Sequence, residues 1–334
     1  MTYSAGSTIV ASDYNGFVTN NASANVTGVW ATGSTDAGWG QTSNVSATAA
    51  AAATVTATQW ANLVNTITAM GAQTGTTITS RTAPAAGNTI TIFTNLNTDL
   101  TNIYANRGNA IASGTTSSTW TGSIAKTSAT GSGAATWTIT WTQTVTFADA
   151  NSARYFWNAG GLVRLDMSKT GNVTDTDPDW NTFVGTVGTF YLSGRVNGAN
   201  QTIASTTYTG FTRSGGSGTP SPNLTTTGWY TLTPGAAATT MMTLTNTTAP
   251  YTNETITITA AVNAGSTVLT LVTTWTDGGT SGAGKTRNIS GGTDTTSPYT
   301  TFGTAPAVLC RFVPPSTTYL TASWGTPAVA STVV

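Results

Sequence analysis

Asp175, Asp177 and Asp179 alternate in the run NVTDTDPDW, the one dense group of carboxylates in the chain. Alternating acidic oxygens are the opening of a calcium loop. Here, however, Trp180 stands where that loop needs Gly, and Thr186 where it needs a bidentate Glu. An irregular calcium or magnesium site and a solvated turn are the two readings of these residues. Cys310, the lone cysteine, sits in the apolar run AVLCRFV and reads as a small buried hydrophobe rather than a reactive thiol. No histidine occurs anywhere, which removes the usual general base, the Ser-His-Asp and Cys-His arrangements and the commonest zinc ligand. Glu254 is the only glutamate, so a paired-carboxylate hydrolase has little support. No phosphate-binding or dinucleotide fingerprint is present. These residues predict a protein that is not an enzyme and carries no cofactor, a divalent cation at the three aspartates excepted. Exposed aromatics offer a different chemistry, because an aromatic face stacks on the apolar face of a pyranose. Tyr208, Phe211, Trp229 and Tyr230 flank a Gly/Ser/Pro-rich loop and are the glycan-binding candidates; strand core is their other reading.

The elements that would hold such residues are mostly strands. In ATWTITWTQTVTF (residues 135–147), Trp137, Ile139, Trp141, Val145 and Phe147 fall on one side of an extended chain and six threonines on the other. Charged residues make up 7% of the 334, far below the roughly 25% typical of soluble domains, and 11 basic residues balance 11 acidic ones. Zero net charge argues against nucleic acid as a partner. With 38% hydrophobic residues and 11 Trp, the chain is also too apolar for a disordered tract. No basic region followed by an apolar run marks a secretory signal, and no stretch has the ~20 apolar residues of a membrane span.

Three regions read differently. Residues 1–48, rich in Gly, Ser, Asn and Thr, read as an extended arm with short strands and turns. Residues 49–112 read as a helical hairpin for anchoring or oligomerisation. Trp60, Leu63 and Ile67 form the stripe of its first helix, with Thr58 as cap and Gly71 or Gly75 as stop. Phe93, Leu96, Leu100 and Ile103 form the stripe of its second, with Asn88 as cap and Gly108 as stop. Residues 113–334 read as a nearly all-β domain exposed on an assembly. Its short strands include ARYFWNAGGLVRLDMSKTG, GWYTLTP and TYLTASW, and the clearest hairpin turns at Asn263-Ala264-Gly265. The fold class is therefore mainly β, an antiparallel sandwich or jelly-roll-like region behind a small helical hairpin.

DYNGFV, ATGSTDAGWGQ and VTATQWANLVNTITAMGAQTG follow one another in the first part, with Asp13, Tyr14, Asn15, Trp39, Gly40, Gln41, Thr58, Gln59 and Trp60 as marks. FADANSARYFWNAGGLVRLDMSKTG, TVLTLVTTWTD and SPYTTF follow in the second. This succession resembles virion structural proteins of tailed phages, described as tail-fibre-like, especially those of T4-like phages of marine cyanobacteria. It covers about two thirds of the chain, discontinuously. One departure is the first helix, which ends in MGAQTG where such proteins carry a basic or His-containing end. The resemblance implies location in a virion, with no catalytic residue to carry over.

A threonine face suits that setting. Each side chain presents one hydroxyl and one methyl and loses less side-chain entropy in a contact than Lys or Glu. The expectation is a non-enzymatic phage structural protein made in the host cytoplasm, a fibre-like or tail-appendage subunit. Its partners would be copies of itself, as a homotrimer, and other virion proteins. A head-decoration or sheath-covering lattice protein is the first alternative. A carbohydrate-binding adhesin that meets a host-surface glycan is the second.

Overall fold

Strict alternation along its three longest strands builds the larger sheet. In the computed structural model the described residues are 11–20, 25–31, 37–47, 54–86, 95–113, 123–125, 130–132, 136–169, 177–194, 201–203, 206–208, 210–216, 232–247, 252–277 and 306–334. Strands β1 (Ser123–Ala125), β2 (Thr130–Ser132), β3 (Thr136–Thr146), β4 (Leu162–Ser168), β5 (Thr189–Ser193), β6 (Gln201–Ile203) and β7 (Thr206–Tyr208) come first. Then follow β8 (Phe211–Ser214), β9 (Thr239–Thr245), β10 (Glu254–Val262), β11 (Val268–Asp277), β12 (Ala307–Val313) and β13 (Ala328–Val333). One sheet runs β1-β12-β4-β5-β8 and the other β13-β3-β11-β10-β9, with β2 also on β3; β6 and β7 pair apart. Among the described residues every strand pairing is antiparallel. The mainly-β class is as expected.

The inner face of the larger sheet carries Ile139, Trp141, Val145, Ile256, Ile258, Leu269, Leu271 and Trp275, all buried. Gln143 interrupts that set: it is fully buried, and neither amide atom has a hydrogen-bond partner among the described residues. The outer face carries threonine in register. Thr245, Thr255, Thr276 and Thr138 form one transverse row, and Thr243, Thr257, Thr274 and Thr140 the next. The β10–β11 hairpin turns where expected, because the Asn263 side chain accepts from the backbone N–H groups of Thr267 (2.8 Å) and Val268 (2.9 Å).

Helices are more numerous than the sequence reading allowed. The N-terminal region, expected as an extended arm, forms α1 (Ala11–Asn15), a π-helical turn (Gly16–Asn20) and α2 (Val26–Val29), and it buries Tyr14, Phe17 and Trp39. Those aromatics drive the difference, since an arm in solvent would leave them wet. Helix α3 (Ala57–Thr74) begins two residues earlier than expected. Thr56, not Thr58, is the cap, in a capping box with Gln59, and Gly75 ends the helix at φ +62°. Helix α4 (Leu96–Asn106) follows; the expected cap Asn88 lies outside the described residues.

Two more helices lie within the region read as β. The segment ARYFWNAGG is not strand but the body and end of α5 (Ala150–Asn158), because Asp149 caps it by accepting from Ser152 N–H at 2.7 Å. Ala153, Phe156 and Trp157 then recur at helical spacing and are buried. Helix α6 (Asp177–Gly185) replaces the acidic turn. The described part of GWYTLTP and all of TYLTASW are irregular rather than strand; Leu320 and Trp324 are buried from a loop. Tyr14, Trp60, Ile103, Trp141, Phe190 and Trp324, drawn from all parts of the chain, belong to one apolar cluster.

Candidate functional site

Of the residues expected to do chemistry, the described part of the structure brings none together. Asp175 lies outside the described residues; Asp177 and Asp179 fall in the first turn of α6, with their side chains outside the description. Among the described residues, no group of three His, Cys, Asp or Glu side chains could hold a metal ion. Cys310 is fully buried on β12, opposite Leu165 of β4. Burial first, and then the charge of Asp166, push its thiol far above the ordinary range. A thiol held neutral and covered should resist alkylation in the native protein. We expect iodoacetamide to label Cys310 only under denaturing conditions, as read by mass spectrometry; rapid native labelling would contradict its burial.

The glycan candidates also disperse. Phe211 is corrected to core: it is buried and stacked on Phe190 at 5.5 Å, so it has no face to offer a sugar. Tyr208 lies in β7 with its side chain outside the description, as are Trp229 and Tyr230 entirely. The assembly candidates receive a second correction. Trp60, Leu63, Ile67, Leu96, Leu100 and Ile103 are all essentially fully buried within this one chain. Tyr14 and Phe17 pack edge-on against Trp60, so these stripes form the chain's own interior and not a surface for a second copy. Phe93 lies outside the described residues.

The segment Trp39-Gly40-Gln41 proves architectural. Trp39 is fully buried, and Gly40, at φ +69°, lies so close to the Tyr155 ring that a Cβ would sit 2.3 Å from it. Gln41 donates to Thr321 O (2.9 Å) and Ser323 Oγ (3.0 Å) and accepts from Thr321 N–H (2.7 Å). It thereby ties the first buried loop to the last. Asn158, at the end of α5, donates to Gly38 O at 2.9 Å.

Among the described residues, two surface features could recognise something. The first is the threonine face, half-buried to exposed along β3, β9, β10 and β11, where the Thr243 and Thr257 hydroxyls share a hydrogen bond at 3.4 Å. The second is an open cleft of about 380 Å³ between residues 42–44 and α3. Trp30, Thr42, Ser43, Asn44, Asn65, Thr66 and Ala69 line it. Sequence reading passed over this cleft because its two walls lie about twenty residues apart and neither carries a motif.

The fold and these surfaces define a mainly-β protein with two larger antiparallel sheets and a few short helices. Comparison with protein-family models, with curated proteins and with solved structures gives no match. No described helix is long and apolar enough to cross a membrane.

Proposed function

We propose that this chain is a non-enzymatic structural subunit of a phage particle. The observation that carries the reading is the outer face of the larger sheet, where uncharged threonines align across four strands. Such a face makes hydroxyl and methyl contacts that depend little on salt, which suits repeated packing against neighbouring subunits. The sequence resemblance to tail-fibre-like virion proteins points the same way.

Between the two structural roles, a lattice-covering subunit is favoured over a fibre. A self-trimerising fibre was expected to use the helical stripes, and those stripes are buried in the chain's own core. A subunit without that seam folds on its own core and takes its place among copies from the lattice it sits on. The test is the mass in solution by light scattering, together with copy number in purified particles by quantitative mass spectrometry. A monomer in solution, present in many regular copies per particle, is the expected result. A stable trimer present in a few sets per tail would return the fibre reading, and absence from particles would sink both.

A further inference from the structure

We infer that the cleft between residues 42–44 and α3 binds a neutral carbohydrate, with Trp30 as its aromatic wall and Asn44 and Asn65 as its polar contacts. The lining decides the ligand class. None of the lining side chains is charged, so a phosphate or carboxylate would find no counter-ion. Only Trp30 and Ala69 are apolar, too little for a hydrophobic ligand. A pyranose offers what the cleft can use: a CH face for the indole and hydroxyls that both donate and accept. A side-chain amide does the same in reverse, with two N–H donors and one carbonyl acceptor.

Those amides are uncommitted. Asn44 and Asn65 are both exposed, and neither side chain hydrogen-bonds to another described group. The buried Thr66 lies one residue on from Asn65 and contributes to the cleft wall.

The walls are held in place before any ligand arrives. Trp30 is half-buried, its ring 6.3 Å from that of the buried Trp39, and its indole N–H donates to Thr42 O at 3.3 Å. The Trp30 backbone N–H donates to Val26 O (2.8 Å) and its carbonyl accepts from Gln41 N–H (2.9 Å). Across the cleft, Asn62 donates to Asn44 O at 3.2 Å. Asn62 is one helical turn before Asn65 on the same face of α3, so this bond sets the spacing between the two walls. The Trp30 ring and the backbone at Asn44 are thus fixed in advance, which reduces the ordering cost of binding, while the two free amides turn to meet the sugar hydroxyls. A cleft of this volume takes a single sugar ring or two.

This inference stands apart from the virion reading, since a sugar site is compatible with its failure. The test is saturation-transfer NMR on the full chain with glucose, galactose, mannose and N-acetylglucosamine, and with N-acetylneuraminic acid as the charged control. At least one neutral sugar should receive saturation at millimolar concentration. Its affinity should fall by about tenfold or more in Asn65→Leu and in Asn44→Leu, while far-UV circular dichroism is unchanged. Trp30→Phe, which keeps an aromatic wall, should weaken binding less than Trp30→Ala. Silence from every neutral sugar, binding of the acidic sugar alone, or neutral-sugar binding untouched by Asn65→Leu and Asn44→Leu would each overturn the assignment.

Discussion

Asp99→Ala is expected to destabilise the protein by roughly 3–5 kcal/mol, the scale for leaving one partner of a buried ion pair uncompensated. Asp99 lies in the first turn of α4 and pairs with Arg81 of the linker before it; the two side chains are 6% and 5% exposed. The same carboxylate accepts from the Thr79 N–H at 3.2 Å, so it fastens the linker to the helix by both charge and hydrogen bond. Asp99→Asn keeps an acceptor for Thr79 and loses the charge, and it should fall between wild type and Asp99→Ala. The double variant Asp99→Leu with Arg81→Met removes both charges and should recover much of the loss. Urea denaturation of the four proteins decides the matter. If Asp99→Ala lies within 1 kcal/mol, roughly the worth of a surface pair, Arg81 reaches solvent and the buried pair is not what holds the linker.

Trp275→Ala should produce a loss of similar size, about 3–5 kcal/mol, by a different route. Trp275 lies on β11 between Trp141 of β3, at 4.9 Å, and Trp180 of α6, which stacks on it at 5.5 Å with the planes 6° apart. All three rings are buried. The ring is therefore a contact between α6 and the larger sheet, and removing it leaves a cavity that two flanking indoles are too rigid to fill. With about 2.1 cal/mol/K of unfolding entropy per residue, the loss corresponds to a fall in Tm of roughly 4–7 °C. Trp275→Phe keeps an aromatic surface and should lose less. A double-mutant cycle with Trp180→Ala should show a coupling of about 0.5–1.5 kcal/mol; additive losses would mean that α6 is held elsewhere.

The core of the larger sheet was legible in the sequence for a simple reason. Strand side chains alternate faces, so Ile139, Trp141 and Val145 on β3 and the alternating residues of β10 and β11 declare their burial by spacing alone. The end of α3 was legible only to within two candidates, Gly71 and Gly75; Gly71 lies inside the helix, and Gly75 ends it in the left-handed conformation. Cys310 likewise announced its burial from an apolar run. Helix α5 was hidden. Its run of Arg154, Tyr155, Phe156 and Trp157 has the aromatic content of a strand, and only the Asp149 cap and burial of Ala153, Phe156 and Trp157 on one side make it helical.

Residue type and near-neighbour spacing were enough to fix the mainly-β class, the threonine-lined outer face, the β10–β11 turn and the lack of histidine chemistry. Tertiary structure alone decided which apolar stripes are surface and which are core. Trp60 looks the same in sequence whether it faces a second copy or the chain's own Tyr14 and Phe17, and Leu63 and Leu100 likewise give no sign that they join the same buried cluster; the choice rests on segments far away in the chain. It also decided the cleft. Trp30, Asn44 and Asn65 are ordinary residues at unremarkable spacings, and they face one opening because the Asn62–Asn44 and Trp30–Thr42 bonds close two loops of chain upon each other. Local spacing encodes which face a side chain takes, and long-range packing encodes what that face meets.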